Sequence, residues 1–290
     1  MASPTSREPN RKGGPGPKPA APILPYADDP PLAPGTELIS YRVVPPGALD
    51  RANWSDGGDA GRARVRDDRQ LVQVRARHLV TAGDTRLSVV AAEVSERASS
   101  IRVLRHKLVE RGNPRLVLVT SARDGEGKST LALNLAAAMA ESGRDRVLLI
   151  EADVRRPSLT NILGASPPLC FLQQLSAWRD DPSRPWSVME VLPSGFHLLP
   201  IDPELTGAHH PRTLHGPTFC AAVAELRRVY ERVVIDAPSV LTSADVNLIE
   251  DSVDGIVFVA RAHRTRGRVL RRAIEQVSPA KVAGVVLVDV

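Results

Sequence analysis

Aromatic side chains are scarce: Phe, Trp and Tyr together make up 3% of the 290 residues. That leaves no stacking platform of interleaved aromatic and basic side chains for single-stranded nucleic acid. Cysteine is scarcer still. Cys170 and Cys220, both in apolar segments, exclude a disulfide framework and point to a reducing compartment. No run of 18 apolar residues occurs, so no transmembrane helix is expected. The first residues lack a charged start followed by an apolar run, so no signal peptide is expected either. The chain reads as cytoplasmic. Only three tyrosines are present, Tyr26, Tyr41 and Tyr230, and none follows the last apolar run, which stops at Val290.

Proline is plentiful but badly distributed. Twelve of the 25 prolines fall in residues 1–50, and residues 1–35 carry too little apolar surface to offset the entropy of ordering. Residues 1–85 are therefore read as largely disordered or weakly structured, and residues 86–290 as the folded domain. The net charge of +5 and pI near 9.6 come from arginine. Its densest stretch is RAHRTRGRVLRR, residues 261–272, with six arginines. We read it as the solvated face of an amphipathic helix rather than a nucleic-acid or membrane contact.

From residue 115 onward the pattern is regular. Uniformly apolar strands are expected at 115–120, 146–152, 196–201, 232–237, 255–261 and 283–290. Helical periodicity falls between them at 128–142, 159–163, 171–178, 218–231, 244–252 and 266–277. Earlier, apolar spacing predicts a helix over 87–111, with Leu87, Val94, Ile101, Leu104 and Leu108 on one face. QLVQVRARHLV suggests an isolated strand pair. Apolar strands alternating with amphipathic helices mean an α/β fold, a parallel sheet covered by helices on both faces.

Residues 116–130, LVLVTSARDGEGKST, are the most informative segment. A β-branched run enters a loop with Gly125 and Gly127, then Lys128, Ser129 and Thr130 open an apolar helix. Strand, glycine loop, Lys-Ser and helix form the layout of a phosphate-binding loop, although Ala122 stands where the first motif glycine is usual. Glycines let backbone N–H groups converge on an anion, and the helix N-terminus adds positive potential. Gly125, Glu126, Gly127, Lys128, Ser129 and Thr130 are thus the candidate cofactor-binding residues, cradling the phosphates of a nucleotide. Lys128 would reach the β- and γ-phosphates, and the Ser129 hydroxyl would ligate Mg²⁺.

Two further strands end in acids. Glu151 closes 146–152, with Asp153 just beyond it, and Asp236 closes 232–237. Ligands of open parallel sheets bind outside the strand C-termini, so Lys128, Glu151, Asp153 and Asp236 converge as candidate catalytic residues. Ser129, Asp153 and Asp236 are the candidate Mg²⁺ ligands.

The three segments, LVLVTSARDGEGKSTLALNLA, VLLIEADVRRPSL and RVVIDAPSVLTSADVNLIEDSVDGIVFVARA, together resemble the bacterial tyrosine kinases. More closely, they are similar to the cytoplasmic ATPase domain of capsule and exopolysaccharide chain-length regulators, of the deviant-Walker group that includes ParA and MinD. The resemblance covers about residues 95–290, and SIRVLRHKL is similar to the family's entry helix. It implies a P-loop NTPase fold, ATP and Mg²⁺, and homo-oligomerisation. It also implies a membrane polysaccharide co-polymerase as partner, which would recruit the protein to the inner face of the cell membrane.

The departures are specific. Glu151 stands where the family usually has Asp, and Arg123 where ParA and MinD carry lysine. Val288 replaces an Asn that reads the adenine. The tyrosine cluster that receives phosphate is missing, so weak or absent autophosphorylation is expected, with Tyr26 and Tyr41 the only accessible acceptors. A ParA/MinD-like positioning ATPase and a degenerate nucleotide-binding module are the alternatives. His209, His210 and His215 read as a solvated loop rather than a metal site. Arg155 and Arg156 sit at the same sheet edge, where either could meet phosphate charge. Asp245 reads as a helix cap.

Overall fold

The computed structural model describes residues 41–44, 71–80, 85–91, 94–202, 214 and 216–289. The expectations for residues 1–35, Tyr26, His209, His210 and His215 lie outside them.

Nine strands form one sheet: β1 (Tyr41–Val44), β2 (Val72–Leu79), β3 (Leu116–Ser121), β4 (Val147–Glu151), β5 (Trp186–Leu192), β6 (Phe196–Leu199), β7 (Arg232–Asp236), β8 (Gly255–Arg261) and β9 (Val282–Val288). Their order is β1-β9-β8-β3-β7-β4-β6-β5-β2. The six central strands, β9 to β6, run parallel. β1 is antiparallel to β9, and β5 antiparallel to β6. Two strands thus come from upstream of residue 86.

Seven helices accompany them among the described residues: α1 (Glu96–Glu110), α2 (Lys128–Ala140), α3 (Leu159–Leu163), α4 (Phe171–Asp180), α5 (Gly216–Val229), α6 (Asp245–Ile249) and α7 (Gly267–Ile274). Strand alternation divides the interior in two. Val117, Val119, Leu149, Val257 and Val259 join α1, α2 and α3 in one core. Leu116, Leu118, Leu148, Ile150, Ile256 and Phe258 join α4, α5, α6 and α7 in the other. Both faces of the central strands are therefore buried, which is why these strands read as continuous apolar runs rather than alternating ones.

Two early expectations change. The helix predicted over 87–111 begins only at Glu96, where the Ser95 hydroxyl accepts the Ala98 N–H at 3.1 Å. Leu87 sits in a separate 3-10 turn, and Val94 is 98% exposed rather than core. Ala98, Ile101, Leu104 and Leu108 alone form the helix's buried stripe. Within QLVQVRARHLV, Val72–Leu79 form a single strand at the sheet edge, parallel to β5, rather than an isolated pair. Strand β5 itself went unread from the sequence. It returns through Pro193, Ser194 and Gly195 into β6, with Gly195 at φ 76°.

Candidate functional site

The sheet places its ligand-facing edge at the C-terminal ends of β3, β4, β7, β8 and β9. From β3 the chain passes through Ala122–Gly127 into α2. Gly125 and Gly127 adopt φ 77° and 95°, a region that L side chains rarely enter. No side chain caps α2, so the N–H groups of its first turn face the loop and favour an anion.

The loop is braced from inside. The Ser121 hydroxyl donates to the Arg123 carbonyl at 2.6 Å. The Glu126 carboxylate accepts the Arg123 N–H at 3.0 Å and the Thr265 hydroxyl at 2.6 Å. Glu126, expected to bind the cofactor, thus has its side chain occupied in holding the loop, and its part in binding rests on its backbone. The Thr130 carbonyl accepts from the Asn134 amide at 2.8 Å.

Lys128 is buried, with its ammonium 3.9 Å from both Asp124 Oδ1 and Asp153 Oδ2. Asp124 also meets Arg156 Nη1 at 2.7 Å and accepts the Ser239 hydroxyl at 2.6 Å. The Ser129 hydroxyl accepts from the Ser158 hydroxyl at 2.9 Å. Asp153 takes the Arg156 N–H at 3.2 Å. Burial raises its pKa, and the Lys128 ammonium opposes this.

Asp236 is fully buried, and neither of its oxygens has a hydrogen-bond partner among the described residues. The Ser129 hydroxyl lies beside it without making a bond of standard geometry. Burial pushes its carboxyl up to about 7, against the pull of Ser129 and Lys128. Such an orphaned carboxyl is costly unless something completes it.

Glu151 has the opposite situation. Its carboxylate accepts N–H groups from Ser158 at 2.6 Å, Leu159 at 2.8 Å and Ile201 at 2.7 Å. Burial raises its pKa to about 8, and those three bonds oppose the rise. Asp153 accepts one backbone N–H at a single oxygen, whereas Glu151 has both of its oxygens engaged by backbone.

The structure therefore brings Lys128, Ser129, Asp153 and Asp236 together and gives Glu151 to the framework around them. It adds Asp124, Ser158, Ser239 and Thr265, which the sequence reading missed. The Ser158–Ser129, Ser239–Asp124 and Thr265–Glu126 contacts that bring them to the site span 29 to 139 residues, beyond the reach of any local pattern. Val288 is buried, with Cγ2 4.0 Å from where a side chain on Gly127 would begin. Asp245 accepts the Ser243 hydroxyl at 2.8 Å, while Ala244 holds the cap position of α6.

The donors fit Mg²⁺ in kind. The Ser129 hydroxyl and the Asp153 and Asp236 carboxylates are hard oxygen ligands, and Asp236 has no competing partner. No cluster of three or more His, Cys, Asp or Glu could hold a metal among the described residues. An ion here would thus need phosphate and water oxygens as well, the usual manner for Mg²⁺.

The model of the family described as ParA, NUBPL iron-transfer P-loop NTPase, matches residues 113–289. Tyrosine-protein kinase YwqD of Bacillus subtilis is 33% identical over 172 residues, covering 57% of this chain and 67% of its own. Succinoglycan biosynthesis transport protein ExoP of Rhizobium meliloti is 31% identical over 180 residues, 60% of this chain but only 22% of its own length. The kinase domain of Escherichia coli tyrosine kinase ETK superposes with a TM-score of 0.57 at 20% identity, over 77% of this chain and 94% of that one. No helix among the described residues is long and apolar enough to cross a membrane. A family match over more than half the chain, laid on this loop and this sheet order, makes the chain a member of the ParA-type P-loop NTPases, in the group of the bacterial tyrosine kinases.

Proposed function

We propose that this protein binds Mg·ATP at the loop Ala122–Thr130 and uses it, by hydrolysis or phosphoryl transfer, in exopolysaccharide or capsule synthesis and export. The observation that carries the reading is the cluster at the sheet edge: Lys128 buried between Asp124 and Asp153, beside an Asp236 carboxyl with no partner of its own.

In this reading Lys128 neutralises the β- and γ-phosphates, and the N–H groups of the Gly125–Thr130 turn cradle them. The Ser129 hydroxyl with Asp153 and Asp236 holds Mg²⁺, which when bound offsets charge on the phosphate oxygens. Asp153 and Asp236 orient the attacking water or hydroxyl. Arg156 leaves Asp124 to meet phosphate charge. Glu151 is a positioning residue, fixing the turn that carries Asp153 and Ser158.

The partner class is a membrane polysaccharide co-polymerase, with this chain acting as a homo-oligomer at the cytoplasmic face; likeness to the succinoglycan biosynthesis transport protein ExoP supports the co-polymerase part of this reading. Tyrosine autophosphorylation is weak or absent. A ParA/MinD-like positioning role is the less supported reading. Calorimetry with Mg·ATP is the test: binding that Lys128→Ala weakens by about ten- to a hundredfold supports the assignment, and equal affinity in both proteins removes it.

A further inference from the structure

The arginine stretch at 261–272 does not behave as an ordinary solvated helix face. In α7, Val269, Leu270, Ala273 and Ile274 pack on the core. Arg268, Arg271 and Arg272 take the opposite, exposed side at i, i+3 and i+4. Arg264 and Arg266 extend this surface through the turn that precedes the helix, and both are exposed.

An ordinary solvated face intersperses acids that pair with its bases. Here six arginines and Lys281 face one acid, Glu275, between Gly255 and Lys281. Among the described residues no ion pair or side-chain hydrogen bond engages Arg264, Arg266, Arg268, Arg271 or Arg272. The arrangement also works against the helix. Arg268 and Arg272 repel at i, i+4, and Arg268 sits in the first turn, at the positive end of the helix dipole. A rigid support underlies the unfavourable charge: the Thr265 hydroxyl accepts the Arg261 N–H at 2.9 Å and donates to Glu126 at 2.6 Å.

We propose that α7 and its leading turn form an electrostatic docking face for an anionic lipid bilayer. The apolar side of α7 is spent on the core, so nothing inserts. Contact is between guanidinium groups and lipid phosphates, which the planar forks of arginine suit. Each such arginine adds attraction that falls off within a Debye length. A bilayer is favoured over nucleic acid because the face is a short convex helix without aromatic side chains for stacking on bases and without a groove to track a strand. The proposal is independent of nucleotide binding.

The test is co-sedimentation of the full chain, without nucleotide, with phosphatidylglycerol–phosphatidylcholine vesicles at about 0.1 M salt. Binding should be seen there, be absent from pure phosphatidylcholine, and vanish at high salt. Arg268→Glu/Arg271→Glu/Arg272→Glu should weaken it about a hundredfold. The neutral variant Arg268→Gln/Arg271→Gln/Arg272→Gln, checked by melting curve, should weaken it less but clearly. A variant with the same charge change elsewhere, Arg144→Glu/Arg179→Glu/Arg184→Glu, should keep most of the binding. Equal loss in that control overturns the proposal, as does binding indifferent to lipid charge. Tighter binding of duplex DNA than of vesicles in direct competition would also overturn it, assigning the face to nucleic acid.

Discussion

Glu151 and Asp236 are direct neighbours across the sheet, paired in register at the ends of β4 and β7. Glu151 collects three backbone N–H groups, while Asp236 collects none. The two buried carboxyls are therefore divided between framework and chemistry. One ties β4 to the start of α3 and to Ile201, two residues past β6; the other is left for a ligand.

That division is measurable. Glu151→Gln sets an amide NH₂ against a backbone donor, and should cost about 1–3 kcal/mol of unfolding free energy. Asp236→Asn removes a buried charge that has no hydrogen-bond partner among the described residues, and should leave the ligand-free protein as stable as wild type or more so. Urea denaturation at pH 7.5 compares them. If Asp236→Asn proves the more damaging, the roles are reversed.

Lys128→Ala should weaken Mg·ATP binding by about ten- to a hundredfold, the range for losing a charge-assisted contact. Its effect on magnesium-free nucleotide should be similar in size, because the ammonium acts on phosphate rather than on the ion. Calorimetry with and without Mg²⁺ separates the two cases.

Asp153→Asn and Asp236→Asn should lower turnover more than binding, by about a hundredfold in kcat with KM changed severalfold at most. Groups that organise water and metal act chiefly on the transition state. Wild-type kcat at saturating ATP in either variant would remove that residue from the site.

The parts of the molecule legible in the sequence are those with local patterning. Leu116–Ser121 and the alanine-rich helix after Lys128 bound the loop so tightly that its place in the fold needed no tertiary knowledge. The central strands could be read because burial on both faces leaves them uniformly apolar. β5 escaped, and β2 reads as an isolated pair rather than an edge strand, because the two meet across more than a hundred residues and carry Arg77, Ser187 and Glu190. The false start of α1 has a simple cause. Leu87 and Val94 fit the period, but the Ser95 cap overrides it. At the site, residue types were legible but their obligations were not. Nothing near Glu151 reveals that Ile201, fifty residues on, supplies a donor to it.

His197 gives the fold a pH dependence with a definite sign. Burial holds its imidazole below the ordinary value, with Glu190 pulling it up and Arg146 pushing it down. The unfolded chain therefore takes up a proton at higher pH than the folded one. The stability this contributes is complete above about pH 6.5 and is lost as pH falls below it. Between pH 7.5 and 5.5 the wild type should therefore lose more stability than His197→Gln. Parallel pH profiles in urea would show that His197 is not the group responsible.

The family name invites the expectation of phosphotyrosine, and the structure bears on one of the three candidates directly. Tyr230 is 2% exposed, at the junction of α5 and β7, and its hydroxyl lies 2.7 Å from His197 Nδ1. Burial raises its pKa further, making the phenol a poorer nucleophile. An acceptor must lie in line with the γ-phosphate and near a base. Tyr230 could reach a neighbouring molecule's site only if the end of α5 came away from the sheet. That would break the His197 contact and expose the ring, which stacks edge-on to the imidazole with 5.6 Å between centroids. We therefore expect no phosphate on Tyr230 after incubation with Mg·ATP under native conditions. Tyr230→Phe should leave total phosphate incorporation unchanged while lowering stability by about 1 kcal/mol, the worth of one buried hydrogen bond. Mass spectrometry of the peptide spanning Tyr230, alongside Tyr41 in β1, decides the matter. Stoichiometric phosphate on Tyr230 would mean that α5 opens far more readily than its packing allows.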